Sequence, residues 1–299
     1  MSVLVVGSTA LDSITTPKRQ NPRLLGGSAS HASVAASFFA PVKLVGVVGD
    51  DFPRRYLALY RRHGIDLAGL QVAPGKTFHW EGQYELNMNV RRTLKTELGV
   101  FERFSPALPP AYQQTPYVLL GNIAPSLQHH VLDQMRRPKF VLADTMDLWL
   151  NTALDELLRL LRRVDALVVN DSEACQLTHE DNIVTAARRI HRLGPRFVIV
   201  KKGEHGSLLS GPGGMFICPA YPLERVVDPT GAGDSFAGGL IGYLASTRGR
   251  LEANLRRAMV YGSVVAAFCC EGFGLTRTTK VTRQEIEARV ARLKRIVRF

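Results

Sequence analysis

Apolar runs of strand length recur along the chain, at 3–6, 43–48, 117–120, 140–142, 166–169 and 197–200. Each is followed by a stretch compatible with a helix, and the helical candidates are 28–39, 52–63, 126–135, 152–163, 182–193, 233–246 and 255–270. A strand that is apolar throughout is one buried on both faces, and strands alternating with helices need crossover connections. The pattern therefore predicts an α/β fold: a mainly parallel sheet flanked by helices. No repeat or long linker interrupts it, so 1–299 reads as a single domain. At the C-terminus, Ile286, Val290, Leu293, Ile296 and Val297 recur at helical spacing and predict an amphipathic helix docked by that face.

One segment departs from this alternation. From Phe78 through Trp80, Tyr84, Leu86 and Met88 to Val90, large apolar residues alternate with His79, Glu81, Gln83, Glu85, Asn87, Asn89 and Arg91. Period two means extended chain with two unlike faces. Within a parallel α/β chain this predicts an appended β element, either a plain edge hairpin or a small β lid built from about 11–25 and 77–104. The apolar face of such a lid needs cover, and a homodimer through the lid would supply it.

Composition narrows the class. The 299 residues are 45% hydrophobic with 26 Gly and 16 Pro, as in a globular protein, and 38 Lys and Arg against 26 Asp and Glu give a net charge of +12. The apolar stretch 264–270 is far shorter than the roughly 20 residues that span a bilayer, so no membrane partner is expected. The opening residues lack a basic region and a cleavage site of the secretory kind, which points to a cytoplasmic protein. Cys175, Cys218, Cys269 and Cys270 form no CxxC pair and read as reduced thiols. The arginine pairs are scattered rather than gathered into a tract, so no nucleic-acid partner is expected.

Chemistry concentrates at Asp228-Pro229-Thr230-Gly231-Ala232-Gly233-Asp234. Small residues running into an apolar helix let the free amides of its first turn approach an anion, with the helix dipole adding attraction. Asp234 beside such a site has two readings: a carboxylate capping the helix, or a general base next to a transferring phosphoryl group. Spacing alone leaves both open. The chain contains no GxxxxGK[ST], and Gly7-Ser8-Thr9-Ala10-Leu11-Asp12 after the first strand lacks GxGxxG, which sets aside the P-loop and the dinucleotide fold.

Taken together, these stretches make the chain resemble the ribokinase-like, or PfkB, family of carbohydrate and nucleoside kinases. The 228–234 stretch is similar to the signature DTxGAGD, with Pro229 in place of the usual second residue. Gly26-Gly27-Ser28-Ala29-Ser30-His31 resembles the N-terminal signature, and Asn170-Asp171-Ser172-Glu173 resembles NxxE. The resemblance implies Asp234 as the base and Gly231, Ala232 and Gly233 as an anion hole for the γ-phosphoryl group. It also implies ATP as donor and Mg²⁺ organised through water by Asn170 and Glu173, although Asn170 and Glu173 also read as a helix cap with a first-turn acid. Asn170, Lys201, Gly203 and Gly206 would face the nucleotide; Lys201 stands where many members have Thr, and reads as a phosphate ligand or an exposed strand-end lysine. Asp228 and Thr230 match the positions that hold K⁺ in some members, and Pro229 between them leaves potassium open.

For the acceptor, the resemblance implies Asp12, Gly26 and Gly27, with His31 where Asn is common and Asn122 where an acid is common in ribokinases. The leading reading is ATP-dependent phosphotransfer to a small sugar or polyol. A nucleoside kinase is the first rival, favoured if aromatic residues such as Phe78, Trp80 and Tyr84 stand near the acceptor. A non-catalytic binding protein is the rival from another class, disfavoured by the intact Asp234, Asn170 and Glu173.

Overall fold

The computed structural model describes residues 1–298 except Asn87, Asn89 and Val90, so those three members of the alternating segment, and Phe299, lie outside the described residues. In chain order the strands are β1 (Val3–Val6), β2 (Ala10–Thr16), β3 (Arg19–Gly26), β4 (Val42–Gly49), β5 (Ile65–Ala73), β6 (His79–Tyr84), β7 (Arg91–Glu97), β8 (Tyr117–Leu120), β9 (Phe140–Asp144), β10 (Ala166–Asn170), β11 (Phe197–Lys201), β12 (Ser207–Gly211) and β13 (Gly214–Cys218). The helices are α1 (Ser28–Ser37), α2 (Arg54–Arg62), α3 (Pro125–Gln134), α4 (Asp147–Thr152), α5 (Leu154–Leu161), α6 (Asp171–Thr178), α7 (Ile183–Leu193), α8 (Ala232–Ser246), α9 (Leu251–Cys270) and α10 (Arg283–Ile296).

Nine strands form one sheet in the order β13-β12-β11-β10-β9-β8-β1-β4-β5, parallel from β11 to β5 and antiparallel only at the β12–β13 edge. The alternation of side chains explains why the strand runs are continuously apolar. Val3 and Val5 face a core shared with Leu240, Leu255 and Tyr60, whereas Leu4 and Val6 face the opposite core with Val131, Leu157 and Ala187. Both layers exclude water almost completely, so either kind of position tolerates no charge. No helix among the described residues is long and apolar enough to cross a membrane, and all four cysteines are free.

A second, four-stranded sheet has the order β3-β2-β6-β7. It takes in the alternating segment, but the strand stops at Tyr84. Leu86 lies in a turn and is 89% exposed, and Met88 has φ +57° with its amide bonded to the Glu85 carbonyl. The expectation that Leu86 and Met88 continue one apolar strand face is therefore corrected: a tight turn breaks period two before they are reached. Phe78 also leaves that face, stacking on Phe101 at 5.5 Å between ring centroids.

Two helical expectations change as well. The expected 152–163 helix corresponds to α5, which starts at Leu154 because Ala153 (φ −144°, ψ 35°) separates it from a further helix, α4, at whose end the Thr152 hydroxyl bonds back to the Leu148 carbonyl. In α10, Ile286 and Leu293 are buried, but Ile296 and Val297 are 51% and 44% exposed, because the helix runs off the core in its last turn.

Candidate active site

The carboxyl ends of β9, β10 and β11 place Asp144, Asn170 and Lys201 side by side, beneath the loop that enters α8. In an open parallel sheet this rim is where ligands bind. The loop is shaped by Asp228, which is fully buried: one carboxylate oxygen accepts from the Thr230 amide and the other from the Gly274 amide, both at 2.9 Å. Gly231 has φ +76° and its α-carbon lies against the His31 ring, so a side chain there has neither the backbone freedom nor the space. The helix begins without a side-chain cap, and Asp234 occupies the third position of its first turn. The N-cap is Gly231, and the Asp234 carboxylate takes a hydrogen bond from its own first-turn amide, so this position suits a local cap as well as a base.

Asp234 also belongs to a buried charge cluster. Burial raises its carboxyl above the ordinary range, while Lys201, the hydrogen bond from its own amide and Arg91 pull it back. Asp144 is likewise raised by burial, opposed by Lys201. The Lys201 ammonium stands 3.3 Å from Asp144 Oδ1 and is only 20% exposed; burial works against it, yet Asp144, Glu173 and Asp234 outweigh that and hold it above the usual lysine range. The reading of Lys201 as an ordinary exposed strand-end residue fails on this burial.

Asn170 and Glu173 form a reciprocal capping box on α6, with the Asn170 side chain accepting the Glu173 amide at 2.7 Å and Glu173 accepting the Asn170 amide at 2.8 Å. Burial nevertheless pushes the Glu173 carboxyl up to about 7, against the pull of Lys201. Capping alone does not require a carboxylate held so unfavourably. Oxygen donors of this kind suit a hard divalent cation, which commonly keeps several waters of its own.

A cavity of about 730 Å³ opens beside these groups, and its lining includes Asn170, Lys201, Gly203, Gly206, Ala232 and Gly233 together with Tyr221, Pro222, Phe236 and Ala266. Such a lining mixes polar, cationic, apolar and aromatic groups, the combination a nucleotide uses. Met88, from the turn of the small sheet, also lines it.

On the other side of Asp234 lies the small sheet. Asp12 is buried against Gly26, whose missing side chain makes the room. Burial, opposed by the Gly27 amide and reinforced by the charges of Asp228 and Asp234, raises its carboxyl to about 7. Asp12 pairs in register with Trp80 across the parallel β2–β6 ladder, so the two side chains share one face. Tyr84 stands further along β6 on that face, and its hydroxyl accepts from Thr230 Oγ1 at 3.0 Å. Arg91, opposite Tyr84 on β7, stacks over Trp80 at 5.4 Å. That face of the small sheet therefore looks onto the anion loop.

Two acceptor candidates sit differently. The Asn122 amide is engaged internally, accepting from Trp149 Nε1 at 2.8 Å and donating to Met146 Sδ at 2.9 Å. His31 is buried beneath Gly231; burial lowers its imidazole to about 4, so it is neutral, and its Nε2 has no hydrogen-bond partner among the described residues. Thr230, a potassium candidate with Asp228, spends its hydroxyl on Tyr84. Sequence reasoning missed Asp144, Arg91 and the Tyr84–Thr230 link. Asp144 had a signal, being an acid directly after the apolar run 140–142, whereas the other two depend on how the small sheet folds back.

The pattern of the pfkB family of carbohydrate kinases matches residues 2–281. The cytidine kinase of Thermococcus kodakarensis is 31% identical over 258 residues, 84% of this chain and 90% of that protein. Among solved structures, a Burkholderia thailandensis nucleoside kinase in complex with inosine has a TM-score of 0.78 at 22% identity, covering 97% of both chains. An Escherichia coli structure with ATP and Mg²⁺ has a TM-score of 0.80 at 19% identity, covering 97% of this chain and 99% of that one.

Proposed function

The chain belongs to the pfkB family of carbohydrate kinases, and from that premise we propose that it transfers the γ-phosphoryl group of ATP to a hydroxyl of a nucleoside. Phosphotransfer to a hydroxyl is common to the sugar, polyol and nucleoside readings; the acceptor is what the site narrows. The observation that carries the choice is Trp80, an indole in register with Asp12 on the face turned to the anion loop. An acid that holds ribose hydroxyls next to an indole is the pair a nucleoside needs, the base stacking in place of the Arg91 guanidinium that lies over the ring in this structure, and a free sugar or polyol uses only the acid. The similarity to a cytidine kinase points the same way.

In this reading Asp12 and the Gly26-Gly27 backbone hold the acceptor, with His31 Nε2 as a further polar group beneath it. Asp234 takes the proton of the attacking hydroxyl as its oxygen bonds to the γ-phosphorus. The amides around Gly231, Ala232 and Gly233 meet the charge on the transferring group, and ADP leaves with the electron pair of the broken bond. Asn170 and Glu173 would hold hydrated Mg²⁺, which neutralises phosphate charge. Lys201, Gly203 and Gly206 line the donor cavity. The small sheet acts as a lid that keeps water from the phosphoryl group. Its outer edge, β7 with Leu94 exposed and Leu98 exposed just beyond it, would pair two copies as a homodimer.

The test is an ADP-release assay of purified protein with ATP, Mg²⁺ and a panel of nucleosides, sugars and polyols. Turnover of at least one nucleoside well above every sugar is expected. Turnover of sugars or polyols with none of any nucleoside would overturn the acceptor assignment, and silence across the whole panel would overturn the kinase reading.

A further inference from the structure

We propose that Asp144 is a positioning residue for phosphoryl transfer, holding the Lys201 ammonium at the edge of the anion loop, where it meets the charge that collects on the leaving β-phosphate oxygen. The proposal rests on the kinase reading and on nothing about the acceptor.

The two residues close β9 and β11, with β10 between them, so their contact bridges the rim of the sheet. The ion pair is 3.3 Å long between groups 6% and 20% exposed. Asp144 is itself fixed: its carbonyl accepts from Gln128 Nε2 at 3.0 Å and its Oδ1 accepts from the Thr145 amide at 3.1 Å. The ammonium in turn abuts the anion loop, since a β-carbon built on Gly233 would lie 3.0 Å from Lys201 Nζ. Among the described residues, Lys201 is the one lysine or arginine lining the donor cavity.

Three carboxylates, Asp144, Glu173 and Asp234, act electrostatically on this single ammonium. The ion-pair contact goes to Asp144, so the ammonium leaves Asp234, which accepts only from its own amide, open to the acceptor proton. When the bond from the γ-phosphorus to the bridging oxygen breaks, the electron pair stays on the β-phosphate. Lys201 donates a hydrogen bond to that oxygen and remains protonated, so no further proton moves. Without Asp144 the ammonium falls to Asp234 or Glu173, masking the base and leaving the leaving group unattended.

The test is a double-mutant cycle on kcat with Asp144→Asn and Lys201→Met, using the best acceptor found, with the KM for ATP and thermal melting measured on each protein. Lys201→Met is expected to lower kcat on the order of 10²-fold, the scale of a lost electrostatic stabiliser. Asp144→Asn should lower it about tenfold with the KM for ATP changed less than about threefold, and the double variant should be no worse than Lys201→Met alone, because one residue acts through the other. Lys201→Arg should recover part of the loss. If Asp144→Asn does not fold, Asp144→Glu keeps the charge while displacing the ammonium, and the same fall in kcat is expected. Near-normal kcat in either Asp144 variant, or a double variant whose loss is the product of the singles, would overturn the proposal.

Discussion

Replacing Tyr84 by Phe removes one oxygen atom and, with it, the hydrogen bond from Thr230 Oγ1 that ties the small sheet to the anion loop. At 3.0 Å the contact is an ordinary neutral hydrogen bond, worth about 0.5–1.5 kcal/mol net. Tyr84 is buried, but Thr230 is partly exposed, so water can reach its hydroxyl and the cost stays near the middle of that range. A loss of about 1 kcal/mol in the closed state lowers its population, and hence kcat/KM for the acceptor, roughly fivefold. Thr230→Val should cost about the same, and the double variant should cost no more than either single, since both remove one bond. The assay is initial rate against acceptor concentration, with melting curves to confirm that the fold is kept. Singles that multiply in the double variant, or a Tyr84→Phe protein with unchanged kcat/KM, would refute the reasoning that this bond holds the small sheet over the site.

Other consequences are open to equally direct checks. Glu173→Gln keeps the capping box but removes the charge, so half-maximal rate should require several-fold more Mg²⁺ with little change in melting temperature; an unchanged Mg²⁺ titration would leave Glu173 as a cap alone. Asp12 titrates at about 7 in the folded chain against 3.8 as a free side chain. The folded state therefore holds this proton more tightly, and the group's contribution to stability is present at pH 4 and lost as pH rises through 7. Asp12→Asn should flatten the fall in melting temperature between pH 5 and pH 8, and a slope identical to that of the parent would contradict the burial argument.

The architecture was legible because the parallel strands are apolar on both sides: the runs at 3–6 and 117–120 coincide with β1 and β8 to the residue. The strands that escaped notice are those whose sequence is mixed. β5 carries Asp66 and Gln71 at the sheet edge, and β12 has only Leu208 and Leu209 between serines, so neither shows a long apolar run, whereas β13 is apolar from Met215 to Cys218 and was passed over because no helix-compatible stretch follows it directly. The anion loop stood out because its glycines and Asp234 are consecutive in sequence. Asp144, Lys201 and Glu173 come together only because β9, β10 and β11 are neighbours in the sheet, a fact of strand order that local pattern does not contain. The alternation from Phe78 correctly signalled extended chain, but it also continued through Leu86 and Met88, where the backbone turns. The sequence did carry a turn signal there, Asn87 and Asn89, but period two counts them as the polar positions of a strand.

The measurement closest to the central claim is turnover and ATP affinity of Asp234→Asn beside the parent protein. Gly231, not Asp234, is the N-cap of α8, and Asp234→Asn keeps a side-chain oxygen that can take the hydrogen bond from its own amide. The account therefore predicts ATP binding within a fewfold of normal and turnover lower on the order of 10²-fold or more, the scale of a lost general base. Near-normal turnover in that variant would contradict it.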